Sequence, residues 1–193
     1  WWRIDDEGEV RGHEIVDAFG DQRAITSLAM VLGERSLAVG DASGGLSTWS
    51  AVRTGATSHL TRIHTLTPHQ NPVRVILPST ANKSLFSFAE DGSLNLDHMT
   101  SERHLASLRG ETPLRNVGAS PDAEVAVAVD DAGKLVAWEI DAPHPEVSWK
   151  TLFGAVWYEG YDQPSYTWQT TGSEDSESKL SIVPLIFGTL KGT

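Results

Sequence analysis

The sequence contains no cysteine among its 193 residues. This absence excludes a disulfide scaffold, a thiolate zinc site and a cysteine nucleophile, although it does not assign a compartment. Positive charge is also scarce, because 15 Lys and Arg residues stand against 26 Asp and Glu residues, for a net charge of −11. Sequence-independent binding to nucleic acid or to an anionic membrane needs clustered basic residues, so the charge argues against both partners.

Long apolar runs are absent too. The longest candidate, residues 180–190, is about half of the ~20 residues that a membrane-spanning helix needs. The sequence starts at Trp1 without methionine and stops soon after this run. We therefore expect an excised piece of a longer protein, with one domain of ordinary size.

Motifs that carry chemistry are missing as well. There is no phosphate-binding Walker loop, no Gly-x-Ser-x-Gly elbow and no His-Glu-x-x-His pair. The glycine-rich stretch 40–45 is better interpreted as a hairpin turn than as an anion cradle. The sequence thus predicts no catalytic residue, no cofactor and no enzyme activity.

A repeat of about forty residues is present instead. An acidic turn, a glycine and an apolar residue two positions later recur four times, at Gly8, Gly44, Gly92 and Gly133. These glycines are 36, 48 and 41 residues apart, which brackets the blade period of WD-type propellers. Such a glycine provides the positive φ angle of a tight hairpin.

Alternating apolar runs around each glycine predict short strands, and no sustained helical period is found. Leu46, Leu94 and Leu135 share one face of the strand that follows the turn. The other strand candidates are 24–31, 36–39, 60–66, 73–77, 84–88, 103–108, 114–118 and 125–129.

Over residues 1–153 these repeats resemble degenerate WD-type propeller blades. Trp49 and Trp138 occupy the position of that family's terminal Trp, although no repeat has a Trp-Asp pair. The predicted fold is all-β, a partial β-propeller with about three to four four-stranded antiparallel blades. A generic β-sandwich is the alternative. We expect Trp49, Trp138 and Trp149 to pack between blades, and the open-edged piece to self-associate.

The polar candidates favour structural roles. His59, His64 and His69 recur every five residues, so neighbours alternate between strand faces, and no metal site is expected. Acidic residues at the turns are expected to cap hairpins, namely Asp5, Asp6, Glu7, Asp41, Glu90, Asp91, Asp130 and Asp131. Glu174, Asp175 and Glu177 are interpreted as a solvated linker.

The composition changes after residue 153. Residues 154–178 are first aromatic and then acidic, which predicts a folded anchor followed by a flexible connector. Residues 179–193 are expected to lead into a transmembrane helix outside this sequence. The candidate interaction or membrane-proximal residues are the aromatic ones, Trp157, Tyr158, Tyr161, Tyr166 and Trp168, for which packing on the last blade, a bilayer belt or a partner contact all stay open.

Residues 152–168 and 179–193 together resemble bacterial phosphate ABC-transporter permeases of the PstC-like kind, in the extended form with a large soluble insertion. The likeness depends on the aromatic string together with the segment Pro-Leu-Ile-Phe-Gly-Thr-Leu at 184–190, since neither is distinctive alone. The resemblance implies a periplasmic domain between the first two helices of an inner-membrane parent. It implies as partners the sister permease, the periplasmic phosphate-binding protein or a second copy.

Two functions follow from these patterns. The first is a non-catalytic domain for protein-protein interaction or for regulation of phosphate uptake. The alternative is a propeller-based ligand-binding or hydrolytic domain of an unrelated protein.

Overall fold

The computed structural model describes residues 2–4, 6–14, 16, 21–172 and 177–191. Within them the fold is all-β, with short helices only near the C-terminal end. The strands are β1 (Trp2–Ile4), β2 (Val10–His13), β3 (Ile25–Met30), β4 (Ser36–Asp41), β5 (Leu46–Thr54), β6 (Thr57–Thr65), β7 (Val73–Pro78), β8 (Ser84–Ala89), β9 (Leu94–His98), β10 (Arg103–Leu108), β11 (Leu114–Ala119), β12 (Val125–Asp130), β13 (Leu135–Glu139), β14 (Trp168–Gln169) and β15 (Lys179–Leu180). The helices are α1 (Trp149–Phe153) and α2 (Val183–Lys191).

The strands form separate antiparallel sheets in which sequence neighbours pair. The first sheet has the order β3-β4-β5-β6, the second β7-β8-β9-β10 and the third β11-β12-β13, while β1-β2 and β14-β15 are two-stranded pairs. None of these sheets closes on itself. The predicted all-β class and the four-stranded antiparallel units at the repeats of Gly44 and Gly92 are therefore confirmed, whereas the repeat of Gly8 forms only the β1-β2 pair.

The repeat is visible in the backbone as well as in the sequence. The first strand of each large sheet has a register shift against the second strand, always after its first residue. The shifts fall between Ile25 and Ser27, between Val73 and Val75, and between Leu114 and Asn116. A bulge recurring at equivalent positions indicates that the three sheets are copies of one unit.

The three large sheets pack in series, with an apolar core at each junction. The first core joins the first and second sheets and contains Val31, Ala38, Leu46, Leu66, Val73, Ile76, Leu85 and Met99. The second core joins the second and third sheets and contains Phe86, Phe88, Leu94, Leu96, Leu114, Ala123, Ala126 and Ala128. The second sheet is therefore covered on both faces by its two neighbours.

Two of the four turn glycines lie close against the next repeat. All four have left-handed φ angles between 76° and 85°, namely Gly8, Gly44, Gly92 and Gly133. A Cβ atom on Gly44 would lie 2.3 Å from the carbonyl oxygen of His69, and one on Gly92 would lie 2.5 Å from the backbone nitrogen of Leu114. At Gly133 such an atom would meet nothing within 4 Å. Gly44 and Gly92 thus shape the turn and also allow the close approach of the next sheet.

The carboxylates at the turns accept backbone hydrogen bonds. Asp41 Oδ1 accepts from the backbone N–H groups of Ser43 and Gly45, at 2.6 and 3.0 Å. Asp130 Oδ1 accepts from those of Ala132 and Lys134, at 3.0 and 2.8 Å. These contacts are the hairpin caps expected from the sequence; Asp5 lies outside the described residues.

Two expectations about the repeats were wrong. The third sheet has three strands instead of four, because the chain that follows β13 carries Pro143 and Pro145, which lack the N–H groups that a strand donates. Trp149 is 80% exposed and stacks on Phe153, with ring centroids 5.5 Å apart, so it does not pack between sheets. Trp49, by contrast, is buried, and Trp138 packs against the second core.

Candidate functional site

The C-terminal module, residues 149–172 and 177–191, holds all five aromatic candidates. It begins at α1, which starts with a capping box. The Thr151 N–H donates to the Ser148 hydroxyl at 3.1 Å, and the Ser148 N–H donates to the Thr151 hydroxyl at 2.8 Å. This reciprocal pair fixes the start of a helix of only five residues.

The two parts of the module fold together. Trp168 and Gln169 pair with Leu180 and Lys179 in the short β14-β15 ladder. The backbone N–H of Ile182 also donates to the carbonyl of Leu152, at the end of α1, at 3.0 Å. Residues that are far apart in the sequence thus form one unit, from which α2 continues.

The aromatic candidates divide by exposure. Tyr158 is buried, Trp157 and Tyr161 are half-buried, and Tyr166 and Trp168 are 50% and 41% exposed. The indole N–H of Trp157 donates to the Tyr161 carbonyl at 2.8 Å, which closes a turn. Three of the five residues therefore hold the module together, and the other two face outward.

A lysine lies over the two inner tyrosines. The rings of Tyr158 and Tyr161 meet edge to face with centroids 5.7 Å apart, and Lys179 Nζ lies 5.6 and 5.3 Å from them. Burial, and secondarily the neighbouring Tyr161, raise the pKa of Tyr158 to about 12. The Tyr158 phenol is thus protonated throughout the physiological range, and the cation contacts neutral rings.

Buried ion pairs attach the module to the second sheet. Lys83, which precedes β8, is only 2% exposed, and its ammonium lies 2.5 Å from Glu159 Oε2. The same ammonium donates to the carbonyl of Leu32 in the first sheet's β3-β4 turn. One lysine therefore joins the module to two sheets.

Glu177 makes the second attachment. Its Oε1 accepts from the Lys83 backbone N–H at 2.9 Å and lies 2.7 Å from His98 Nε2. Burial alone would raise the pKa of Glu177, but the hydrogen bond and charge of His98, together with hydrogen bonds from Thr100 and the Lys83 N–H, leave this pKa below the ordinary value. The interpretation of Glu177 as part of a solvated linker was wrong; Glu174 and Asp175 lie outside the described residues.

The outer side of the module is apolar. Phe153 is 45% exposed, next to the exposed Trp149, and none of the residues of α2 is buried. Phe187 and Leu190 on α2 are 68% and 69% exposed. In the part of the chain that the structure describes, no helix is long and apolar enough to cross a membrane. We call Phe153, Tyr166, Trp168 and the apolar residues of α2 the apolar surface.

The three spaced histidines lie in different surroundings. His64 Nδ1 is 3.0 Å from Glu102 Oε1, His69 Nε2 is 2.8 Å from the Ser87 hydroxyl, and His59 is exposed. Over residues 2–4, 6–14, 16, 21–172 and 177–191, no group of three His, Asp or Glu side chains is arranged to hold a metal ion.

Sequence reasoning missed Lys83 and His98. Both follow patterns typical of exposed residues, since Lys83 sits in a polar turn and His98 ends a strand. Their partners are 76 and 79 residues away, so no local signal identifies the pairs.

The comparisons with known proteins give no family. No protein-family model matches the sequence, and no curated protein matches it. One solved structure with some likeness is that of the computationally designed Ika8 protein, at 23% identity and a TM-score of 0.47 over 61% of this chain. The chain spans 33% of that protein's length.

Proposed function

We propose that this chain is the periplasmic domain of a phosphate ABC-transporter permease subunit in the bacterial inner membrane. In this role it is not catalytic and mediates contact with other transporter subunits, or regulates phosphate uptake through such contact. The partners proposed are the sister permease and the periplasmic phosphate-binding protein.

One observation carries the proposal. The permease-like segments 152–168 and 179–193 are separated in the sequence. Residues 152–168 and the described part of the second segment, 179–191, fold against each other through β14-β15 and through the Leu152–Ile182 hydrogen bond. A meaningful two-part resemblance requires such contact, whereas an accidental one does not. The folding of both parts as one module therefore supports the likeness.

The apolar surface supports a location next to the membrane. Trp and Tyr are enriched where the bilayer meets water, and Tyr166 and Trp168 are the exposed aromatics of the module. The exposed apolar residues of α2 need a nonpolar environment or a partner to cover them. We propose that α2 lies at the membrane surface of the parent and leads toward its next membrane helix.

The serial sheets support the propeller that we propose for the repeats. Each of the first two sheets covers its successor through an apolar core, as neighbouring blades of a propeller do. Propellers offer loops and blade faces as docking surfaces and do so without catalysis.

The test uses the absence of native cysteine in these 193 residues. Tyr166→Cys places a thiol on the apolar surface, and Thr54→Cys places one on the exposed β5-β6 hairpin as a matched control. Both variants, made in the full-length parent with any other cysteines replaced, are treated in cells with a permeabilised outer membrane. The reagents are a membrane-impermeant maleimide and a short thiol-to-amine crosslinker.

We expect the maleimide to label both variants and only Tyr166→Cys to crosslink to a transporter subunit. Labelling that requires lysis of the inner membrane would contradict the periplasmic location. Labelling of both variants without a crosslink, or with equal crosslinks, would contradict the docking role.

A further inference from the structure

Among the described residues, the last strand of the third sheet has no neighbour on its outer side. In the first two sheets the third strand is followed by a fourth, β6 or β10, whereas β13 is an edge. Leu94 in β9 and Leu135 in β13 both lie two residues after the turn glycine. Leu94 is 1% exposed and Leu135 is 69% exposed.

The backbone of β13 presents hydrogen-bonding groups on this free edge. The Ile140 N–H donates to the backbone carbonyl of Glu124 at 2.7 Å, and the Asp130 N–H donates to the backbone carbonyl of Lys134 at 3.0 Å. Ladder bonds to β12 therefore run through the even-numbered residues of this strand. The N–H and C=O groups of Leu135, Ala137 and Glu139 point outward, and they make no hydrogen bond with the residues that the structure describes.

A groove lies at the end of this strand, between the second and third sheets. Its volume is about 560 Å³, and Leu105 and Ile140 contribute apolar walls. No Lys or Arg lines it, and its acidic residues are Asp122, Glu124, Glu139 and Asp141. The groove is thus lined by both polar and apolar residues, and its charged residues are all acidic.

The chain itself does not fill the edge position. After β13 it turns toward the β9-β10 corner, where Arg103 donates to the carbonyls of His144 and Val147 at 3.0 and 2.8 Å. The Ser101 hydroxyl also donates to the Pro145 carbonyl at 2.7 Å. These contacts hold residues 144–147 at the β9-β10 corner, and no other described strand pairs with β13 on its outer side.

We propose that the β13 edge binds an extended, basic segment of a partner protein, which adds to the third sheet as its fourth strand. Main-chain hydrogen bonds to Leu135, Ala137 and Glu139 supply affinity in this mode of recognition, and alternate side chains supply specificity. Apolar side chains of the segment cover Leu105 and Ile140, while its Lys or Arg residues meet the acidic residues of the groove.

The charge of the groove selects this occupant over a second copy. A second copy would bring the same edge and the same groove, whose charged lining residues are all acidic, so it offers no opposite charge to this groove. A basic strand instead brings Lys or Arg side chains to the four carboxylates of the groove, and these opposite charges favour binding. The proposal concerns a surface distinct from the C-terminal module and does not depend on a transporter parent.

The test uses a fluorescently labelled eight-residue peptide of alternating Val and Lys, and measures its binding to the 193-residue chain by anisotropy. Two matched peptides serve as controls, one N-methylated at alternate residues to block one hydrogen-bonding edge, and one with Glu in place of Lys. We expect the blocked peptide to bind at least tenfold more weakly, no detectable binding of the Glu peptide, and weakening with added salt.

Variants of the chain locate the site. Ala137→Pro removes an outward N–H and should abolish binding, with circular dichroism reporting whether the fold persists. Glu139→Lys, at an exposed side chain, should weaken binding at least tenfold, whereas Asp162→Lys makes the same charge change in the C-terminal module and should leave binding unchanged.

Three results would overturn the proposal. The first is equal affinity of the N-methylated peptide, and the second is an equal effect of Glu139→Lys and Asp162→Lys. The third is a peptide-independent dimer that Ala137→Pro dissociates in sedimentation, since it would identify a second copy as the occupant.

Discussion

Lys83 combines two attachments in one buried residue. Its ammonium pairs with Glu159, and its backbone N–H donates to Glu177, which in turn contacts His98. Removing charges from water is costly, and the cost is offset only when pairing and hydrogen bonding are good. Loss of a single partner leaves the other charge buried and unpaired, so these residues act as a set.

The acid sensitivity of the module follows from Glu177. Because its pKa is lower in the folded chain than in the unfolded chain, ionisation of Glu177 stabilises the fold above the unfolded value of about 4.3. This contribution disappears as the pH falls through the lower, folded pKa. We expect Glu177→Gln to cost about 1.5–3 kcal/mol at pH 7, the range for hydrogen bonds to a charged group.

Urea unfolding of the wild-type chain and of Glu177→Gln between pH 7 and pH 3 measures this contribution. The gap between the two chains should narrow below pH 5. Glu111→Gln, at a side chain that is 83% exposed, is the matched control and should change little. A gap that stays constant down to pH 3 would contradict the assignment.

Residues whose role depends on near neighbours were predictable, and the others were not. Asp41 caps its hairpin through Ser43 and Gly45, two and four residues on, so the turn pattern alone identified it. Glu177 lies 94 residues from Lys83, and its acidic surroundings in the sequence are typical of a solvated segment. Only the folded arrangement reveals that this carboxylate is buried.

At the scale of elements, alternation and turn glycines located the strands of the three large sheets. The run 103–108 matches β10, and the runs 84–88 and 114–118 each end one residue short of β8 and β11. Pro143 and Pro145 also indicated that the third sheet, at the repeat of Gly133, lacks a fourth strand. The spacing of the turn glycines alone does not reveal this difference, because it predicts the same number of strands in every repeat.

Equivalent leucines of two hairpins provide a test at this scale. Leu94 is enclosed between sheets and Leu135 is exposed, although both occupy the same place in the repeat. We expect Leu94→Ala to lower the free energy of unfolding by about 2–5 kcal/mol, because it leaves a cavity. We expect Leu135→Ala to change it by about 0.5 kcal/mol at most.

Chemical denaturation of both variants against the wild-type chain gives these values directly. Each variant is the matched control of the other, since the substitution and the local strand geometry are the same. Equal losses for the two leucines would contradict the view that a junction encloses only one of them.

The whole molecule has its most protected part in the middle. Every residue of β8 and β9 is buried, because the second sheet has a neighbour on each face. In the third sheet β12 alternates between buried and more exposed residues, and Val125 and Val127 are 39% and 37% exposed. Local stability should therefore fall from the second sheet to the third.

Hydrogen exchange tests this order. At neutral pH we expect the amides of β8 to exchange at least tenfold more slowly than the hydrogen-bonded amides of β12. Mass spectrometry of peptic fragments resolves the two strands. Equal protection in both strands would instead indicate one cooperative unit, in which the open face of the third sheet does not lower its local stability.

The attachment at Lys83 also determines how mechanical tension spreads through the molecule. Its contacts with Glu159 and Glu177 close a long loop of chain that includes the whole third sheet. Tension applied to α2 reaches the second sheet through these contacts. The third sheet does not lie between α2 and these contacts. A pull on α2 therefore strains the second sheet, which is the best protected, before it strains the third.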